Sequence, residues 1–415
     1  MSLDYLRCAL EDRPHTPEEA PVKAEERPLP HLADHTHCTG CTACASGCPR
    51  GAIKMVSDKE GFLYPDVTEA CVHCGHCTHI CPMLKHREQR PDPTVFAVWN
   101  ENDEMRGHST SGGAFAAIAS FVLESGGVVF GAAMDSDMRV VHTAIQAKED
   151  LPRLMGAKLV QSDMGECFQQ VRYYLDRGMD VFFTGTPCQV DGLYRFLGES
   201  PERLLTADVL CSGVPSPGVW SKTVEAMHYI KQRRVKTVQF CKKTSGADSR
   251  FVVDFEGGGQ YDAPLTKSDY GRGLFRGLFL RPACYHCPYC STNRAADLTL
   301  GTFRGLPADF RSNQQKKGIS MLLINTVKGA HFFDMIPLQR EKRTLQEAVE
   351  SNPALSRNPA SPKERAAFFD AYVNQPFHKV YQRFFSISDW SYRVANDGKL
   401  RNFIRRIKSG RKDKA

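Results

Sequence analysis

Sixteen of the 415 residues are cysteines, and eight of those fall between Cys38 and Cys81 at fixed short intervals. Cys38, Cys41, Cys44 and Cys48, followed by Pro49, spell C-x2-C-x2-C-x3-C-P; Cys71, Cys74, Cys77 and Cys81, followed by Pro82, repeat the run. Three thiolates at two-residue intervals can wrap one face of an iron–sulfur cube. Zinc knuckles or reduced structural thiols are the plain alternatives. A zinc site takes four ligands and gives no reason for two matching runs of four, each closed by proline.

In such paired runs the fourth cysteine points away from its own cube and ligates the other. The crossing assigns Cys38, Cys41, Cys44 and Cys81 to one [4Fe–4S] cluster, and Cys71, Cys74, Cys77 and Cys48 to the second. His37, His73, His76 and His79 are expected to be solvated or to hydrogen-bond cluster sulfurs rather than to ligate. A module of this kind accepts and passes single electrons, so something further along the chain must receive them.

Three later stretches also carry chemistry. Ser109-Thr-Ser-Gly-Gly113 precedes an apolar helix whose first amides are free to bind an anion, unless Ser111 is a plain N-cap. Thr184-Gly-Thr-Pro-Cys-Gln189 ends a compact apolar strand, where ligands of α/β sheets commonly sit; the alternative is a tight turn with an inert cysteine. Cys284, Cys287 and Cys290 form a third cysteine run, one short of a full ligand set, and Cys211 is able to complete it.

These residues need a scaffold. Hydrophobic residues make up 41% and charged residues 24%, which supports a packed core and excludes a disordered or collagen-like chain. The predicted organisation is a disordered tail over 1–31, a two-cluster domain over 32–84, a linker over 85–94, a catalytic domain carrying the third cysteine run over 95–330, and a helical region over 331–415. Within 95–330 the pattern alternates. Strands are predicted at Val95–Trp99, Gly127–Ala133, Val140–Ala147, Asp180–Thr184, Leu204–Leu210, Val235–Phe240, Arg250–Phe255, Asp297–Leu300 and Ile319–Thr326, with helices at Gly113–Glu124 and Gly165–Arg177. The fold class is therefore α+β or α/β: a small bacterial-type ferredoxin domain, a layered mixed sheet, and a helical C-terminal tail.

The surplus of 54 Lys and Arg over 47 Asp and Glu is +7, and residues 399–415 alone hold eight basic residues and one aspartate. The body is near neutral, so no nucleic-acid partner is expected. In the tail Leu400, Phe403, Ile404 and Ile407 fall on one helical face among Arg and Lys. That face either docks on anionic lipid or a protein partner, or only aids solubility. No membrane span or export signal is read, and a cytoplasmic location is expected.

The order Ser109–Gly113, Gly156–Ser162, Thr184–Val190, Asp208–Ser216, Arg281–Cys287 and Asp297–Gly301 resembles the coenzyme F420 hydrogenase/dehydrogenase beta-subunit family, here with an N-terminal two-cluster ferredoxin domain. The resemblance implies a flavin, FAD with FMN as the alternative, beside a third [4Fe–4S] cluster. It places that cluster on Cys188, Cys211, Cys284 and Cys287, with Cys290 as a spare thiol or alternative ligand. It places the flavin against Ser111, Gly112 and Gly113, within reach of Lys158, Gln161 and Ser162, and backed by Thr184, Gly185 and Thr186. Lys158 and Arg304 are the candidate catalytic residues. The chain departs from relatives where Gly301-Thr-Phe-Arg-Gly305 replaces a common Gly-Asp-Phe-Trp-Gly, where Leu159 replaces a Tyr, and where Phe240-Cys-Lys-Lys243 replaces Phe-Arg-x-Lys. These departures put deazaflavin specificity in question while leaving the cluster ligands intact.

The expected function is an oxidoreductase that takes low-potential electrons, from reduced ferredoxin or a similar donor, through three clusters to the flavin, and so reduces a small organic molecule or a deazaflavin. The rivals are an electron-transfer subunit docked on a larger hydrogenase or dehydrogenase, and an iron–sulfur redox sensor. Self-association into a homo-oligomer is a further expectation.

Overall fold

The computed structural model describes residues 30–85, 88–243, 249–307, 310 and 312–385. The tail expected over 1–31 lies almost wholly outside the described residues, and the basic segment 399–415 lies outside them entirely.

The cysteine-dense segment folds around an antiparallel hairpin of β1 (Ile53–Ser57) and β2 (Leu63–Val67). The rest is organised by an eight-stranded sheet. Its strands are β3 (Thr94–Trp99), β4 (Val128–Met134), β5 (Val140–Ile145), β6 (Val181–Gly185), β7 (Leu204–Val209), β11 (Leu298–Thr302), β12 (Ser320–Ile324) and β13 (Gln339–Arg343). They lie in the order β13-β3-β12-β11-β7-β6-β4-β5. The central pairs β11/β7, β7/β6 and β6/β4 are parallel, while the flanking pairs are antiparallel, so the sheet is mixed. The central strands read as continuous apolar runs because both faces are covered: Val181, Phe182, Phe183, Leu204 and Leu205 are all buried. A second, three-stranded antiparallel sheet is made of β8 (Val235–Lys242), β9 (Arg250–Phe255) and β10 (Gln260–Pro264).

The region after Gly329 is not purely helical. Gln339–Arg343 is an edge strand that pairs antiparallel with β3. Its five residues, QREKR, carry no apolar alternation. The charges that hid it from sequence reading are what edge strands use to resist further pairing. The segment between the cluster domain and the sheet is also anchored: Arg90 donates to the carbonyl oxygens of Arg294 (3.2 Å) and Ala295 (2.9 Å), and Asn293 donates to that of Glu88.

The cluster domain is docked, not tethered. Cys41 and Ala43 belong to the same apolar cluster as Phe168, Val190 and Leu193 of the sheet domain. Gly61 (φ +82°) meets Gly218 so closely that a Cβ there would lie 2.5 Å from the Gly218 Cα. Beside it the Arg365 guanidinium pairs with Glu60, and Ser216 donates to the Glu60 carbonyl at 2.6 Å. Among the described residues no helix is long and apolar enough to cross a membrane.

Candidate functional site: three cysteine sets along one sheet edge

The two runs fold alike. Each opens a four-residue helix, Ala43–Ser46 and His76–His79, preceded by a left-handed residue, Thr42 at φ 69° and Gly75 at φ 72°. The cysteines interleave between runs. Cys44 lies in the field of Cys38, Cys81 and Cys77, whereas Cys77 lies in that of Cys74 and Cys48. Cys48, Cys71, Cys74 and Cys77 together line one cavity. Backbone amides of Ala52 and His73 donate to the sulfurs of Cys48 (3.3 Å) and Cys71 (3.4 Å). Burial pushes the Cys44 thiol up to about 12 and Cys41 well above its usual range. A coordinating metal reverses that balance, because it deprotonates the thiol outright.

The third set gathers at the carboxyl ends of the parallel strands, where the backbone leaves the sheet and a ligand has room. Cys188 sits in the first turn of the helix Pro187–Leu197 that follows β6, and Cys211 comes just after β7. Cys284 lies in the single turn Pro282–His286, with Cys287 and Cys290 beyond it. All five sulfur-bearing residues line one cavity, together with Thr39 and Tyr289. The Val214 amide donates to the Cys284 sulfur at 3.4 Å, and Thr186 Oγ1 lies 3.1 Å from that of Cys188. Cys290 shares a thiol hydrogen bond with Cys287, which keeps it beside the set. Among the described residues no three His, Cys, Asp or Glu side chains converge closely enough to hold a single metal ion.

The residues expected to hold a flavin fall into two groups. In the first, Ser111 Oγ lies 2.7 Å from Ser320 Oγ, which also accepts from the Gly112 amide at 2.8 Å. Gly113, at φ +85°, opens the helix Ala114–Glu124 with no side-chain cap, so its first amides face outward from the helix end. The loop is held from behind. Lys243 Nζ donates to the carbonyls of Ser111, Arg106 (2.9 Å) and Lys317 (2.9 Å), while buried Arg106 donates to Gly318 and Gln314.

The second group lies three strand positions away, roughly 14 Å at normal strand spacing. Ser162 Oγ lies 2.8 Å from His142 Nδ1 and accepts from Gln189 Nε2 at 3.0 Å. His142 Nε2 is 2.9 Å from the Thr184 carbonyl, which fixes the proton on Nε2 and makes Nδ1 the acceptor. Thr184 Oγ1 donates to the Phe130 carbonyl, and Thr186 forms a capping box with Gln189 next to Gly185. Lys158 is half-buried; its amine donates to the Met155 (2.7 Å) and Arg153 (2.9 Å) carbonyls, and burial pulls it down to about 7. Gln161 is committed elsewhere: it donates to the Thr39 carbonyl and accepts from Arg281. Arg304 is exposed at the end of β11, and its charge acts on the Cys241 thiol.

Burial holds His142 down to about 4, with Lys158 adding to the effect. A histidine whose folded value lies below its unfolded 6.5 must take up a proton on unfolding as pH falls, so it contributes stability above 6.5 that is lost on descending towards 4. His142→Gln is therefore expected to flatten the loss of thermal midpoint between pH 6.5 and 4. An unchanged pH profile would remove His142 from this account.

Residues 178–350 match the family model for the C terminus of the beta subunit of coenzyme F420 hydrogenase/dehydrogenase, and residues 37–85 match a "4Fe-4S dicluster domain". Residues 178–350 thus carry the C-terminal domain of that beta-subunit family. With a dicluster domain ahead of it, the chain is an iron–sulfur protein of the oxidoreductase class. It is 21% identical over 321 residues to the F subunit of the F420H2 dehydrogenase of Methanosarcina mazei, covering 74% of this chain and 84% of the relative. An uncharacterized ferredoxin of Methanocaldococcus jannaschii is 33% identical over 51 residues, 12% of this chain and 66% of that protein. A chain in the F420-reducing [NiFe] hydrogenase complex of Methanosarcina barkeri is similar over 71% of this chain and 92% of its own, at 18% identity and a TM-score of 0.42.

The sequence reading gave no role to His142, Gln189, Ser320, Arg281 and Tyr289. Gln189 and Arg281 stood inside its motifs, and Tyr289 lies between Cys287 and Cys290. His142 and Ser320 come from distant strands.

Proposed function

We propose that the chain is an iron–sulfur flavoprotein oxidoreductase. It would relay electrons from reduced ferredoxin, through the two dicluster sites and a third [4Fe–4S] site at Cys188, Cys211, Cys284 and Cys287, to FAD, for reduction of a small organic substrate or a deazaflavin. The observation that carries this reading is the continuity of the three cysteine sets: Gly192, on the helix that bears Cys188, meets Cys41 so closely that a Cβ there would lie 3.1 Å from its sulfur. A flavin supplies the exchange between one-electron carriers and a two-electron acceptor. Two reduced ferredoxins, each giving one electron, and one proton make up each hydride equivalent delivered.

The chain's own residues have assignable tasks. The uncapped helix start after Gly113 offers amides to an anionic phosphate, and Ser320 and Lys243 hold that loop in shape. The Ser162–His142–Thr184 hydrogen bonds fix the opposite wall. Lys158, whose amine donates to the Met155 and Arg153 carbonyls, would place a positive charge near an anionic cofactor, whose own charge would restore the proton that burial disfavours. An extended dinucleotide is the ligand shape that reaches both groups.

The relative named as part of a dehydrogenase supports a second reading, in which the chain hands electrons to or from a larger partner. Anaerobic preparation, with iron, sulfide and flavin counted per chain before a dithionite titration, tests the proposal. The expected result is about twelve irons and one flavin. About eight irons without flavin would reduce the chain to a carrier. Co-purification of a large partner with flavin-free chain would favour the second reading.

A further inference from the structure

Arg281 is among the most deeply buried charged residues, at 1% exposure, and among the described residues it pairs with no carboxylate. Its Nε donates to the Cys38 carbonyl at 2.7 Å, one Nη to the Leu63 carbonyl at 2.9 Å, and the other to Gln161 Oε1 at 3.0 Å. The guanidinium also stands 3.7 Å from the Cys38 sulfur and 4.1 Å from the Tyr64 ring centre, and its charge reaches Cys188 and Cys284. It occupies the seam between the Cys38–Cys41–Cys44–Cys81 set and the Cys188–Cys211–Cys284–Cys287 set. Gly40, at φ +67°, is what lets it in, since a Cβ there would lie 2.7 Å from the guanidinium.

An isolated buried cation is costly unless negative charge is close. Carbonyl dipoles supply part of that charge, and the thiolate sets on either side supply the rest once metallated. We propose that Arg281 is a positioning residue for electron transfer: it clamps the dicluster domain onto the sheet domain, and its charge raises the reduction potentials at the two cysteine sets flanking it, relative to the outer Cys48–Cys71–Cys74–Cys77 set. Reduction adds negative charge at either site, which a fixed neighbouring cation favours. The outer set, whose Cys74 is exposed, is then the entry point, and electrons run downhill from it across the seam.

The inference rests on the three-cluster reading above, and iron counting separates the two failures. In the full-length, anaerobically purified protein, Arg281→Met is expected to lower the two inner potentials by a tenfold or greater shift in the reduction equilibrium, about 59 mV for one electron. The outer one is expected to stay unchanged in an EPR-monitored redox titration. Arg281→Lys should restore most of the shift. Gln161→Glu retains Arg281 but sets a carboxylate against it, and should lower the same two potentials even if Arg281→Met fails to fold. About twelve irons with all three potentials unmoved in Gln161→Glu and in any foldable Arg281 variant overturns the electrostatic role. About eight irons in the wild type overturns the third cluster itself.

Discussion

Cys284→Ser is expected to lower the iron content of the anaerobic protein from about twelve to about eight per chain and to abolish ferredoxin-driven turnover, whereas Cys290→Ser leaves both near wild type. Cys188, Cys211 and Cys284 approach the cavity from three separate backbone segments, and each lies in the field of the others. Cys287 closes the set, with Cys290 held to it by a thiol hydrogen bond. Losing one ligand from a four-thiolate cage removes the whole cluster, not a quarter of it. The electron path is then cut beyond the dicluster domain, and turnover should fall by more than the roughly hundredfold typical of an outer-shell change. Cys290 lies near enough to replace Cys287 but supplies no fifth bond to a cube that takes four. If Cys290→Ser loses four irons and Cys287→Ser keeps them, the ligand set is Cys188, Cys211, Cys284 and Cys290 instead.

The second large effect is expected at Gly112. A Cβ there would lie 2.4 Å from the Val98 carbonyl oxygen and 2.5 Å from the Ser320 amide nitrogen, both of them backbone atoms in adjacent strands of the main sheet. Neither neighbour can rotate away. Gly112→Ala must therefore push the Ser109–Gly113 loop off the β3–β12 edge and break the bond from the Gly112 amide to Ser320 Oγ. The expected destabilisation is about 3 kcal/mol, in the range of overpacked core substitutions. Flavin content should drop alongside it while the eight dicluster irons stay bound. Ser320→Ala removes the same hydrogen bond without the clash and is expected to cost about 1 kcal/mol. A Gly112→Ala chain with unchanged thermal midpoint and full flavin would show that the loop has slack the close contacts do not suggest.

Much of this was legible in the cysteine spacing. The duplicated run implies crossed ligand sets, and in the fold Cys44 stands near Cys38, Cys81 and Cys77 while Cys77 stands near Cys74 and Cys48. Local periodicity also placed the strands that are buried on both faces, since an apolar run such as Asp180–Thr184 has few other homes. It missed β13, which pairs through backbone alone and carries charges on both faces. It also missed the helices Pro187–Leu197 and Pro217–Lys231, where a proline that looks like a turn signal is in fact the first residue of the helix.

The inventory is local: two four-cysteine runs, a third partial run, and an alternating body to carry them. Spacing of two or three residues is a local property, and local backbone geometry converts it directly into ligand placement. Long-range packing sets the body against the Cys38–Cys41 run, fills the seam with Arg281, and turns Gln161 to that seam instead of towards the Ser162–His142 group. It also decided that the expected flavin residues stand in two groups along one sheet edge. Those contacts join segments far apart in the chain, and they are chosen by strand order and by the shape of the packed core, which no short stretch of sequence encodes.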